Sequence, residues 1–320
     1  MGNLPECFPK LRESSDWLAT GLFFLLSLIC LLTGISSAVA LLLGIILAVS
    51  LGNPCIKLAQ KVIGLLLKFS VVGLGFGMSV QQAIDASQNG FLLTVSSIIF
   101  TLILGALTAS KMGLTRHSGQ LISSGTAICG GSAIAAVAPV IKAGPRDISV
   151  ALGVVFILNS VALFVFPTIG HWLSMTQEQF GLWSAIAIHD TSSVVGASAS
   201  YGAEALAIAT TVKLGRALWI IPLSLLMAVI SGGSVRKITI PWFIGLFILA
   251  MLVNSFVPGV EMFNTEIVAW SKRGLVLTLF LIGSTMTRGL LKSVGIMPMV
   301  YGIFLWVAIA SSSLAFIMYG

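Results

Sequence analysis

Apolar residues run along this chain in long blocks separated by short polar stretches. Nine blocks stand out: residues 17–33, 38–51, 62–78, 91–109, 148–169, 205–230, 240–257, 275–291 and 297–318. They carry neither the strict alternation of a half-buried strand nor the polar face of a surface helix. Runs of roughly 17–25 apolar residues are what a helix needs to cross a bilayer. The pattern predicts an all-α, polytopic membrane protein, in one integral membrane domain over residues 1–320 with a short cytoplasmic segment, 1–16.

Two further segments, 118–141 and 181–201, are long enough to reach the membrane but rich in Gly, Ser and Thr. Their centres read Gly125-Thr-Ala-Ile-Cys-Gly-Gly-Ser132 and His189-Asp-Thr-Ser-Ser-Val-Val-Gly196. A helix facing lipid has no use for such a centre. A helix that breaks beside a polar cavity does, because irregular backbone survives at membrane depth only inside protein or water. Counting these two gives 9–11 transmembrane segments, with two helices broken or re-entrant.

Composition sharpens this picture. Of 320 residues 57% are hydrophobic and 8% charged, against ~25% charged in soluble domains, so a soluble domain, a disordered chain and a disulfide scaffold are excluded. The net charge of +7 comes from basic residues in short loops, which is the positive-inside bias and not a nucleic-acid surface. Cys7, Cys30, Cys55 and Cys129 make no CxxC pair or metal-ligand spacing and read as free thiols. The N-terminus lacks a signal-peptide cleavage pattern, so the first apolar block is expected to be retained. No P-loop, dinucleotide fingerprint, HExxH or nucleophile elbow is present. No enzyme activity, cofactor or metal is therefore expected, and transport would run on an ion or substrate gradient.

Loop charges discriminate between two topologies. If all eleven segments cross, ten basic residues (Lys10, Arg12, Lys57, Lys61, Lys111, Arg116, Arg236, Lys237, Arg288 and Lys292) face the cytoplasm, and Lys142, Arg146, Lys272 and Arg273 face out. If 118–141 and 181–201 are hairpins entering and leaving by one face, Lys142 and Arg146 move inside, which the rule favours. The N-terminus is cytoplasmic in both. Weak internal similarity, Lys61–Gly73 against Lys272–Gly283 and one Gly/Ser/Thr segment against the other, suggests inverted repeats, a feature of secondary transporters.

Ionisable residues at membrane depth need a reason, since each costs at least ~2.5–3.5 kcal/mol on insertion scales. Asp190 opens Asp-Thr-Ser-Ser, where it can N-cap a half-helix or hold a cation or proton. His189 is a polar neighbour or a proton carrier. Lys213 and Arg216 share a helix face; they snorkel, bind an anion or pair with Asp190. Lys68 is placed to snorkel, and Asn159 to bond between helices. The glycines of 125–132 let backbone amides approach a ligand, and a freed helix N-terminus favours an anion; a carbonyl end would serve Na+ equally well.

Three stretches, 125–139, 187–197 and 213–222, resemble the signatures of the YeiH-like bacterial inner-membrane proteins, a family named for sulfate export. The resemblance runs from the second block to the end of the chain. It implies kinship with the cation:proton antiporter and bile-acid symporter superfamily: inverted repeats, a panel domain, and a mobile core domain with broken helices. In those relatives the Gly-Gly-Ser signature lies on a crossing discontinuous helix, which opposes the hairpin preference, so that choice stays open at this point.

The expectation is a secondary transporter, an exporter, of a small anion such as sulfate, a sulfonate or a carboxylate, in the bacterial inner membrane. Thr126, Gly130, Gly131, Ser132, Thr191, Ser192, Lys213 and Arg216 would bind substrate, and Asp190 and His189 would couple it to H+ or Na+. Its partners would be the anion, the coupling ion, the lipid bilayer and a second copy in a homodimer. The rivals are a channel, an intramembrane enzyme built on Cys129 and His189, and a cation:proton antiporter using Asp190.

Overall fold

A computed structural model describes residues 14–33, 35–53, 55–231, 242–257, 259–286 and 294–319. Lys10, Arg12, Arg236, Lys237, Arg288 and Lys292, which entered the topology argument, lie outside the described residues, as do Cys7 and most of the expected cytoplasmic segment. The described chain is helical. In order the helices are α1 (Ser14–Leu32), α2 (Ser37–Ser50), α3 (Ile56–Leu74), α4 (Val80–Ala109), α5 (Arg116–Ala127), α6 (Gly131–Val140), α7 (Pro145–Trp172), α8 (Gln177–Ala187), α9 (Thr191–Tyr201), α10 (Ala203–Ala217), α11 (Ile220–Ser231), α12 (Trp242–Phe256), α13 (Glu261–Ser284) and α14 (Ile296–Tyr319). A single 3-10 turn, Gly75–Gly77, follows α3.

Among the described residues, six stretches are long and apolar enough to cross a membrane: Ile56–Gly77, Gly90–Ala109, Pro145–Trp172, Ala203–Met227, Met262–Ser284 and Ile296–Tyr319. The apolar blocks at 17–33, 38–51 and 240–257 form shorter helices. Several boundaries differ from the sequence reading. Helix α3 begins at Ile56, ahead of the block at 62–78, so Lys57 and Lys61 lie inside a helix and not in a loop, and α4 begins at Val80, ahead of the block at 91–109. Lys272 and Arg273, expected in a loop before residue 275, lie inside α13, where the Arg273 guanidinium stands 4.8 Å from the Trp270 ring centroid. The block 205–230 is not one regular helix. It turns at Leu218–Trp219 between α10 and α11, because Pro222 has no N–H to give the Leu218 carbonyl four residues back.

The chain divides into two compact units, each drawn from two stretches: residues 1–80 with 242–291, and 81–241 with 292–320. The first holds α1–α3, α12 and α13. Its core joins Phe23, Cys30, Leu47, Cys55 and Phe280. Small residues let its helices touch, as they must where lipid supplies no hydrophobic drive. A Cβ on Gly44 would overlap the Phe280 carbonyl, and one on Gly283 would overlap that of Leu41. Gly73 faces Ser271 while Gly274 faces Ser70. In both pairs of helices the contact numbers rise along one partner as they fall along the other, so α13 is antiparallel to α2 and to α3.

The second unit holds α5–α11 and α14 together with α4, less the first residue of that helix. Its plan is a short helix pair followed by a long helix, twice over. The pair α5–α6 precedes α7, and the pair α8–α9 precedes α10. Phe180 at the start of α8 stacks on Tyr201 at the end of α9, with ring centroids 3.9 Å apart. Further in, the Ser184 and Ser198 hydroxyls are 2.9 Å apart. The two half-helices therefore fold back on one another. For the first pair, Thr115 and Ser118 at the start of α5 donate to Asp147 in the first turn of α7 (2.7 and 2.5 Å). Deeper in, a Cβ on Gly125 would meet Val155, also on α7. Helices α5 and α7 thus run parallel, and α6, which ends four residues before α7 begins, must run back between them.

Candidate functional site

The two interruptions fall where the Gly/Ser/Thr-rich centres were read. Helix α5 stops at Ala127 and α6 begins at Gly131, while α8 stops at Ala187 and α9 begins at Thr191. Gly130 sits at φ 61°, a conformation that is routine only for glycine. A Cβ there would stand 3.0 Å from Val155 and 3.3 Å from the His189 carbonyl oxygen. That closeness puts the tip of one helix pair against the tip of the other.

A broken helix presents unpaired carbonyls at the end of its first half and unpaired N–H groups at the start of its second. In a dry interior each must find a partner. The carbonyls find side chains from other helices. Lys213 Nζ donates to Ile188 O (2.7 Å), Ile128 O (3.0 Å) and Ala185 O (3.3 Å). Arg216 donates from Nε to Ala127 O (2.8 Å), from Nη1 to Ile186 O (3.0 Å) and from Nη2 to Ala127 O again (2.5 Å). Trp306 Nε1 on α14 takes Ala187 O at 3.1 Å. Four successive carbonyls at the end of α8, those of residues 185–187 and of the following Ile188, are thereby each matched. Lys213 and Arg216 are both fully buried, at 0% exposure. They neither snorkel nor pair with Asp190. They neutralise two helix C-termini, where cations are favoured, and Lys213 ties the two tips together.

The N-terminal ends are treated unequally. At α9, Asp190 is the N-cap: its carboxylate accepts from Ser192 N (3.1 Å), Ser193 N (3.3 Å) and the Ser192 hydroxyl. At α6 the N-cap is Gly130, which has no side chain to offer. The Ser132 hydroxyl and Ala133 N–H approach the Cys129 sulfur, a weak acceptor. The N–H groups of Gly131 and Ser132 have no acceptor among the described residues. Ser132 is exposed, and Gly131 and Asp190 are half-buried.

The remaining expected residues lie at the same junction. Thr126 lies in the last turn of α5 at 1% exposure, and Thr191 and Ser192 are buried in the first turn of α9. His189 is wholly buried and donates its N–H to Asn159 Oδ1 on α7 at 3.0 Å. Its two ring nitrogens, Thr126 Oγ1 and Asn159 Nδ2 have no partner among the described residues. Lys68 belongs to the first unit and is half-buried there. Trp306 was missed in the sequence, since an indole among apolar neighbours gives no sign that its N–H caps a carbonyl 119 residues away.

The family described as conserved hypothetical protein 698 matches residues 18–302 of the chain. A UPF0324 membrane protein of Photobacterium profundum is 53% identical over 310 residues, covering 97% of this chain and 94% of its own. One from Bacteroides thetaiotaomicron is 50% identical over 287 residues, 89% of this chain and 87% of its own. One from Geobacter sulfurreducens is 44% identical over 297 residues, 93% and 96%. No solved structure matches.

Proposed function

Because the chain belongs to the conserved hypothetical protein 698 family of bacterial multi-pass membrane proteins, we propose that it is a secondary transporter moving a small anion across the plasma membrane by alternating access. One observation carries the reading: two helix hairpins reach toward each other from opposite ends of α7 and meet at their tips. Helix α7 has 28 residues, about 42 Å at ~1.5 Å per residue, enough to span. Helix α5 has 12, about 18 Å, roughly half that depth. The first hairpin starts beside the N-terminus of α7, at Asp147; the second starts four residues after its C-terminus. In a bilayer these are re-entrant hairpins from the two faces, related as inverted repeats, with irregular backbone held at mid-depth inside protein. This is the arrangement that the loop charges favoured over crossing discontinuous helices.

The electrostatics favour an anion. Lys213 and Arg216 against Asp190 leave one net positive charge at the junction. Asp190 fills the N-terminus of α9, while that of α6 keeps open N–H groups beside an exposed hydroxyl. Open helix N-termini bind anions through those N–H groups and the helix dipole. Gly130, Gly131 and Ser132 are therefore assigned to substrate. Thr126, Thr191 and Ser192 line the same tips, and Lys213 and Arg216 supply the field from behind. Asp190 and His189 are the groups through which H+ or Na+ would couple. The side bearing Lys111 and Arg116 is taken as cytoplasmic by the positive-inside bias, with export as the direction.

The test is thermal stabilisation of the purified protein by sulfate, sulfonates, bicarbonate, carboxylates and phosphate, with and without Na+, at two pH values. An anion at ~100 times its Kd adds ~2.7 kcal/mol when it binds only the folded state. A selective shift by one class supports the reading. Shifts with Na+ or pH alone, and none with any anion, would replace it by the cation:proton antiporter.

A further inference from the structure

Away from the tips, the second unit holds a cavity of about 590 Å³ between α4, α5 and α11. Its walls are apolar, Ile103 and Ala106 on one side and Leu226 and Met227 on the other, and it is open along its length, since Ile103, Ala106 and Leu226 are exposed. Its polar groups follow one face of α5. Arg116 stands at the end where α5 begins, exposed, with Lys111 in the turn just before it. One turn in, Gln120 lines the cavity, and its buried Oε1 has no partner among the described residues. Ser123 follows a turn later. Thr126 continues the same face by one more turn, at the hairpin tip, again with an unpartnered hydroxyl at 1% exposure. On α11, Ser224 lies one turn from Met227 toward Arg216 and is buried at 0% exposure with its hydroxyl unpartnered. Gln120 Oε1 inside the cavity, and Thr126 Oγ1 and Ser224 Oγ beyond its lining, are thus three buried polar atoms without partners among the described residues. Each is costly to leave unpaired in a dry interior.

We propose that this cavity is the substrate's access vestibule and that it selects an organic anion with an aliphatic tail over inorganic sulfate. The inference rests on the transporter reading and names its substrate class. A bare sulfate would have to shed strongly held water against isoleucine, leucine and methionine walls that return no hydrogen bonds. A sulfonate or carboxylate on a short alkyl chain meets the same walls with its tail, while its head is drawn by Arg116 and Lys111 at one end and by the unpartnered groups along α5 and α11. The end marked by Arg116 lies on the side assigned to the cytoplasm, where an exporter collects its cargo.

The experiment is a chain-length series, methanesulfonate to hexanesulfonate, with dissociation constants from thermal shift on the full-length protein. Sulfate is the reference. In wild type, affinity should rise about fourfold per added methylene until the cavity is filled, the equivalent of ~0.8 kcal/mol per buried CH₂. Ala106→Trp and Leu226→Trp fill the cavity from opposite walls, so a folding failure in one leaves the other. Each should flatten the series while leaving methanesulfonate within a few-fold. Arg116→Gln should weaken every length alike. A flat series in wild type, with sulfate still stabilising, overturns this inference and leaves the transporter standing. A slope that survives both tryptophans also overturns it, because the gain is then detergent partitioning or another site. So does phospholipid that co-purifies with wild type and is displaced by Ala106→Trp while the slope persists, which would make the cavity a lipid slot. No response to any anion refutes the anion-transporter reading itself.

Discussion

Lys213→Met removes three donors from the point where both hairpin tips meet, and nothing else of comparable volume. It leaves Ile128 O, Ala185 O and Ile188 O without the ammonium that now bonds all three. Each buried acceptor left unpaired costs roughly 1–3 kcal/mol, so the gross loss is ~3–9 kcal/mol. Against it stands relief of the desolvation penalty of a fully buried ammonium, which is several kcal/mol. Part of the gross loss is also recovered as the tips relax. The expected net is about 2–4 kcal/mol of destabilisation. A melting midpoint moves ~2–4 °C per kcal/mol in domains of 150–250 residues, so the variant should melt ~4–16 °C below wild type without any ligand. The assay is a melting curve of detergent-purified protein, with limited proteolysis to score whether the tips open. Lys213→Arg, which keeps a charge and several donors, should recover at least half the loss. If Lys213 served an anion and not the backbone, the methionine variant would melt at or above the wild-type temperature without ligand and lose only ligand response. That outcome refutes the capping account of Lys213.

Four other outcomes follow from the same geometry. Gly130→Ala forces a side chain into φ 61° against Val155 and should cost ~1–3 kcal/mol, read as a lowered midpoint. Trp306→Phe keeps the ring but orphans Ala187 O, an expected loss of ~1–3 kcal/mol in the same assay. Asp190→Ala removes the cap of α9 and should cost about 1 kcal/mol, whereas Asp190→Asn, still able to cap, should stay within a few tenths; equal losses would remove the capping role. Ser132→Asp puts a carboxylate at the open N-terminus of α6: ligand-free stability should rise by ~0.3–1 kcal/mol while the anion-induced shift disappears.

What was legible in the sequence, and what was not, divides along a physical line. Helices that face lipid are written in runs of apolar residues, so α7 and α14 were found close to their limits, whereas the start of α3, which carries Lys57 and Lys61, was read as a loop. Breaks are written in residues that tolerate them, so the interruptions at 128–130 and 188–190 fell within the two Gly/Ser/Thr-rich segments, 118–141 and 181–201. Asp190 read correctly as an N-cap, because a cap acts on the N–H groups two and three residues ahead. Lys213 and Arg216 were seen as an intramembrane pair on one face, but their partners were not. Those partners are main-chain carbonyls of residues 127, 128, 185, 186 and 188, which every residue type possesses and no sequence pattern marks. Trp306 was missed for the same reason. The helical extent of α13 back to Glu261 was missed because Lys272 and Arg273 looked like a loop, when a long helix can carry them beside Trp270.

The unequal treatment of the four helix ends at the junction has a mechanical consequence for the proposed transporter. Both carbonyl ends are held by residues of α10, and Lys213 bonds a carbonyl of each tip at once. Neither tip can withdraw from the other without breaking a bond of a buried ammonium, worth ~1.5–3 kcal/mol. The hairpins and α10 are thus coupled more tightly to one another than to anything that only packs against them. The N-terminal ends carry no such shared tie: Asp190 bonds only its own helix, and α6 is open. A bound anion at α6 would therefore meet a platform already assembled, with the positive charge behind it fixed in place and the cost of burying that charge met in folding. Such a platform binds without rearranging its tips. Access from the two sides would then have to change by movement of the whole tip assembly, hairpins and α10 together, and not by parting the hairpins. Cross-linking the two tips should leave transport intact under this argument, and a linked protein that binds its anion but no longer moves it would show the argument to be wrong.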